Sequence, residues 1–228
     1  MVQLNASGAS HAVHIDAPTA SHRLAGSLGL IAVGLFGGAL VVVAVLTLGF
    51  DYWNDYVSKL GAIGQPYAIW WNLIGFLAVG AVFAVFGVAY GRVVGDRLAG
   101  LLLAAFGLGF GLTAIPVDLE QSASAASKAH IVAACLGVGA WMFALARIAQ
   151  LRRLPRSVRR RANITAALVV LPILGLVAGR WSLPVTHRLV FAVMFGWVVI
   201  TSVGLLRGAP RAAGAGDRAE AFDPSRGH

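Results

Sequence analysis

Six polar residues stand out in an otherwise apolar chain: Ser58, Lys59, Asn72, Asp118, His130 and His187. Their types point to hydrolytic chemistry. Two imidazoles and a carboxylate (His130, His187 and Asp118) are ligand types that hold zinc with one position open. Such a metal acidifies a bound water and polarises an ester or amide carbonyl. Ser58 or Lys59 would then stabilise an oxyanion or donate to a leaving group. Without metal, an Asp118–His130 pair can activate Ser58 as a nucleophile. No HExxH spacing accompanies them, so the metal set rests on residue type and level alone. Each residue also has a structural reading. Ionisable side chains at the ends of membrane spans snorkel or cap helices, and an asparagine in an apolar helix usually bonds a neighbouring helix.

The elements that must position these residues are membrane helices. The chain has 228 residues, 58% hydrophobic and 12% charged, against about 25% charged in a soluble domain. Six apolar runs, 24–48, 67–90, 98–115, 130–149, 162–178 and 187–206, are long enough to cross a hydrocarbon core of about 30 Å. The pattern predicts an all-α, six-transmembrane-helix bundle over 23–207 with a tail at each end. Residues 1–22 lack the basic n-region and apolar core of a cleaved signal and read as a mobile tail, with His11, His14 and His22 solvated. Residues 208–228, rich in Ala, Gly and Arg, read as disordered. Pro172 should kink the fifth span. Gly34, Gly37 and Gly38 offer the first span a close-contact face, and Gly107 and Gly111 are spaced for close helix packing. Cys135, the single cysteine, cannot form an internal disulfide and reads as a small packing residue.

Charge sets the orientation. The connection 147–161 carries seven arginines and no acid. Arg23, Arg92, Arg97 and Arg207 fall on the same side. The opposite connections mix Lys59, Lys128, Arg180 and Arg188 with Asp51, Asp55, Asp118 and Glu120. The positive-inside rule then places both ends in the cytoplasm, N-in and C-in, in the cytoplasmic membrane. On this reading the net charge of +9 is an orientation signal and not a nucleic-acid footprint. The arginine cluster has a second reading as a binder of anionic lipid headgroups. Tyr52, Trp53, Tyr56, Tyr67, Trp70 and Trp71 crowd the stretch 50–76, as polar-tipped aromatics do where a span meets water. Ser58, Lys59, Asp118, His130 and His187 converge at that outer face, with Asn72 slightly deeper. No charged residue falls near the midplane, which argues against an ion-coupled transporter. Haem held by His130 and His187 is disfavoured too, because both sit at one level with no further histidine pair.

The phrase 58–76, SKLGAIGQPYAIWWNLIGF, with Ser-x-Leu-Gly and a later Asn-x-x-Gly, resembles bacterial and archaeal membrane proteins of the DUF998 family. Ile115-Pro-x-Asp118 and the histidine opening span four, His130, are similar to the same family, whose usual residue before the proline is Phe. The resemblance covers about 24–207. It implies six transmembrane helices and no particular reaction, and it raises Ser58, Asn72, Asp118, His130 and His187 above other polar positions. A looser likeness is to seven-helix membrane hydrolases such as alkaline ceramidases, which place a serine, an aspartate and three histidines around zinc. This chain has one histidine and one helix fewer. The expectation is a membrane hydrolase or lipid-handling protein with a polar outer-face pocket. Its competitor is a non-catalytic membrane scaffold; membrane lipids are the expected partners either way.

Overall fold

A computed structural model describes residues 18–208 of the chain. Among the described residues, six helices make up the bundle: α1 (Ala20–Leu46), α2 (Ala68–Val93), α3 (Arg97–Leu112), α4 (Ala125–Gln150), α5 (Arg156–Val177) and α6 (Leu183–Arg207). A 3-10 turn, Val57–Gly61, lies in the α1–α2 connection, and Trp71–Ala78 of α2 is π-helical. All but α3 are long and apolar enough to cross a membrane. With 16 residues, α3 spans about 24 Å.

Local chemistry sets the helix starts. The Thr19 hydroxyl accepts from the His22 N–H and opens α1. His22 is therefore helical, and the expected first tail is shorter than 1–22; His11 and His14 lie outside the described residues. Asp96 caps α3 by accepting from the Ala99 N–H at 2.8 Å. Ser124 caps α4, which starts five residues before the expected start of span four. Proline begins two helices: Pro155 is the cap of α5, and Pro184 lies in the first turn of α6. Span six thus starts four residues earlier than expected, and His130 and His187 lie in second turns. The expected span five begins inside α5, so Arg156–Arg161 are helical. Pro172 lies within α5, which continues past it to Val177. Gly95 and Gly179 take positive φ (66° each) just beyond the ends of α2 and α5, where a side chain would be strained.

Each helix packs on its neighbours in chain order, and α6 closes on α1, making a ring of six. Neighbours run antiparallel: Gly29 of α1 meets Ser202 of α6, and Gly91 of α2 meets Gly100 of α3. The ends of α1 and α6 that meet the tails therefore lie at one end of the bundle with the α2–α3 and α4–α5 connections. Aromatic rings fill the middle. Phe36 packs edge-on to Phe195 at 4.9 Å, Phe195 stacks on Phe191 at 5.7 Å, and Phe110 meets Phe36 at 5.7 Å. The outer surface is apolar, with Val45, Leu136 and Phe143 exposed. That inverts the soluble pattern and suits lipid.

Close backbone contact is concentrated between α2 and α3. A Cβ at Gly80 would meet the Gly111 backbone, at Gly87 that of Leu103 and Ala104, and at Gly107 that of Ala84. The expected close-contact face of Gly34, Gly37 and Gly38 is not used, since a Cβ on any of them meets open space. Gly26 and Gly29 are the tight positions of α1, pressed against α6.

Candidate functional site

One end of the ring is roofed by the α1–α2 connection, whose residues fix its shape. The Asp51 carboxylate accepts from Asn54 Nδ2 and from the Trp53 and Asn54 N–H groups. These bonds, the Asn54 side chain first, hold its pKa below the usual carboxylate range. Lys59 pairs with Asp55 at 2.6 Å. Arg188 of α6 donates to the Asp55 carbonyl at 2.6 Å and to the Pro184 carbonyl at 3.0 Å, and its guanidinium lies 5.2 Å from the centre of the Tyr52 ring. Asn72 donates to the Gly61 carbonyl at 2.9 Å and pins the 3-10 turn to α2. Only glycine fits at 61, because a Cβ there would collide with the Asn72 and Trp71 side chains.

Beneath this roof is a cavity of about 430 Å³, lined by α2, α3, α4, α5 and α6. Its polar groups gather toward the roof: Ser58, Thr113, His130, Thr186 and His187. Its depth is apolar, with Phe76, Phe106, Phe110, Val138 and Phe191. On α4 the lining runs from His130 to Val138, about 12 Å along the axis. The His187 ring lies 5.7 Å from that of Tyr56 and 6.3 Å from that of Phe191. The His130 ring lies 6.0 Å from that of Phe76.

The hydrogen bond of His130 selects its neutral tautomer. Nδ1 is 3.1 Å from the Ile115 carbonyl, an acceptor, so Nδ1 carries the hydrogen. In that tautomer Nε2 keeps the lone pair and can accept a proton or a hydrogen bond.

Three of the six expected residues therefore share one cavity: Ser58, His130 and His187. The other three do not line it. Asp118 shapes its own loop, its carboxylate accepting from the Glu120 and Gln121 N–H groups at 3.0 and 2.9 Å and its N–H donating to the Ser127 hydroxyl. Asn72 bonds the 3-10 turn and not a neighbouring helix, and Lys59 is engaged by Asp55. The metal set of Asp118, His130 and His187 is not assembled: among the described residues no group of three or more His, Cys, Asp or Glu is placed to hold a metal ion. The expected polar pocket is in this respect a mostly apolar cavity with a polar rim.

Thr113, Thr186 and Cys135 line the cavity without having been singled out for it. Cys135 is exposed on its wall and is not a packing residue. Helical register signals the α4 face of the cavity, though not these three residues. Ala134, Gly137 and Val138 follow His130 at four, seven and eight residues, the spacing of one helix face. A separate groove of about 520 Å³ runs outside the ring between α1 and α2, lined by Gly34, Gly38, Trp70 and Ile74 among others, with no histidine or acid.

The opposite end of the bundle is basic and organised by one acid. Asp96 is buried and accepts from Arg147 Nη2 at 2.8 Å and Arg153 Nη2 at 3.4 Å. Arg153 also donates to the Gly95 carbonyl at 2.7 Å. The hydrogen bond from Arg147, helped by those from the Ala99 N–H and Arg153, lowers the Asp96 pKa to about 2.

No curated protein and no solved structure matches the chain. A family model described as "Protein of unknown function (DUF998)" matches residues 30–204, from within α1 to within α6, and includes the Ser58 to His187 site. The chain belongs to the DUF998 family.

Proposed function

We propose that this protein binds single-chain amphiphiles of the membrane. The apolar tail would enter the depth of the cavity, and the polar group would remain at the rim with Ser58, His130 and His187. The observation that carries this reading is the cavity's two-part wall, polar near the roof and aromatic or aliphatic below. A lipid tail matches the depth by shape and polarity, and the two imidazoles can hydrogen-bond an ester, amide or carboxyl group. The arginine distribution supports an N-in, C-in orientation in the cytoplasmic membrane, with the rim toward the outer leaflet.

Cys135 makes the binding measurable, because it is the chain's single cysteine and lies on the cavity wall. Maleimide modification of the detergent-purified protein should slow as fatty acids or lysolipids of increasing chain length are added. The isolated polar headgroup should give no protection. Labelling that is indifferent to every chain length would sink the reading and favour a scaffold role.

A hydrolytic second reading rests on the His130 tautomer and on Ser58 sharing its cavity. Nε2 of His130 would take the Ser58 hydroxyl proton as Oγ attacks the carbonyl of a bound ester or amide. The same proton would pass to the departing alcohol or amine, and water would then release the acyl group. Zinc-assisted attack has weaker support, because Asp118 is occupied elsewhere. On the hydrolytic reading, Ser58→Ala and His130→Gln each lower turnover of a long-chain ester by about a hundredfold or more, while amphiphiles still protect Cys135. Protection without turnover in the unaltered protein leaves binding alone.

A further inference from the structure

The α4–α5 connection holds more positive charge than the bundle neutralises. Among the described residues Asp96 is the one acid at this end, and Arg147 and Arg153 occupy it. Arg153 and Arg159 fold back on the protein, to the carbonyls of Gly95 and Ala149. Buried Leu151 and half-buried Leu154 seat the connection against the bundle. That leaves Arg152, Arg156 and Arg160 exposed, with no acid and no hydrogen-bond acceptor among the described residues.

Two features make this arrangement unfavourable for an isolated protein. Arg156 and Arg160 stand four residues apart on one helix face, where like charges repel. They also occupy the first two turns of α5, whose positive dipole end favours anions; that turn has no acid and no side-chain cap. An anion placed here would relieve both. Orientation alone does not call for so fixed a geometry, since flexible arginines in a connection would also bias insertion.

We infer that Arg152, Arg156 and Arg160 form a docking surface for anionic phospholipid headgroups of the adjoining leaflet. The connection is short and joins two helices long and apolar enough to cross a membrane, which would set the three guanidiniums at headgroup level. Guanidinium groups bind phosphate oxygens in a forked geometry, and the surface is fixed in place by the Asp96–Arg153 anchor.

Native mass spectrometry of the full chain in detergent, titrated separately with phosphatidylglycerol and phosphatidylcholine, tests this. The expected result is preferential retention of phosphatidylglycerol that weakens with salt. Neutralising arginines should erode the preference by roughly fivefold per residue, so that it nearly vanishes in R152Q/R156Q/R160Q. Equal retention of the two lipids by the unaltered protein overturns the inference, whatever the variants do. An undiminished preference in the single variants R156Q and R160Q and in the triple variant also overturns it, and places any lipid site elsewhere.

Discussion

Asn72 acts through Gly61. Its amide bonds a backbone carbonyl eleven residues away, and the missing side chain at 61 makes room for it. Asn72→Leu leaves that carbonyl buried without its partner and should cost about 1–3 kcal/mol, read as a lower melting temperature in detergent. An unchanged melt would show that the roof is held without this bond. Asp96 has a different signature. Its pKa falls from the ordinary 3.8 to about 2 because Arg147 and Arg153 bond the charged form. A depressed carboxylate contributes its full stabilisation above the ordinary value and loses it as pH falls through the folded one. The protein should therefore lose melting temperature between about pH 4 and pH 2. Asp96→Asn should start from a lower melting temperature and lack that component of the acid loss.

Among the elements, α2 and α3 are the most closely joined pair, and glycine is the cause. Without Cβ atoms at Gly80, Gly87 and Gly107 the backbones approach each other directly, which gains dispersion contact where lipid supplies no hydrophobic drive. Gly107→Val forces the helices apart and should destabilise by about 1–3 kcal/mol. Gly34→Val, made in a glycine with open space around it, should leave the melt nearly unchanged. Comparable losses from both substitutions would mean that α1 is packed in a way the ring does not contain. The α5 helix is joined more loosely to its two neighbours, α4 and α6. Trp181 fixes its far end by lying on Gly175 and donating to the Pro172 carbonyl at 2.9 Å.

The whole molecule is a ring with two unlike ends. One end is roofed and opens below the roof into a mostly apolar cavity; the other is closed around Asp96 and faces outward with arginine. Filling the cavity should separate binding from folding. Val138→Trp places bulk in its depth, and chain-length protection of Cys135 should disappear while the protein remains a monodisperse particle on gel filtration. Persistent protection would show that the amphiphile covers Cys135 without entering the cavity's depth.

The sequence alone determined the helical membrane class and the number of apolar segments, because a hydrocarbon core imposes length and polarity on each segment separately. It also determined the sidedness of the charge, since the seven arginines of 147–161 are contiguous in the chain. It missed the helix starts at Ala125 and Leu183, whose signals are a Ser124 cap and a first-turn Pro184 in stretches too polar to read as span. Which polar residues meet is settled by packing in three dimensions. Ser58, His130 and His187 come from three separate segments, and no spacing along the chain states that they share a cavity. Asp118 looked equivalent to them by level, yet two N–H groups of its own loop satisfy its carboxylate. Gly34 and Gly107 likewise sit in similar small-residue patterns, and only the ring shows which of them faces a neighbouring backbone. Partner choice is a property of helix rotation and ring order, which a one-dimensional pattern of apolar residues leaves open.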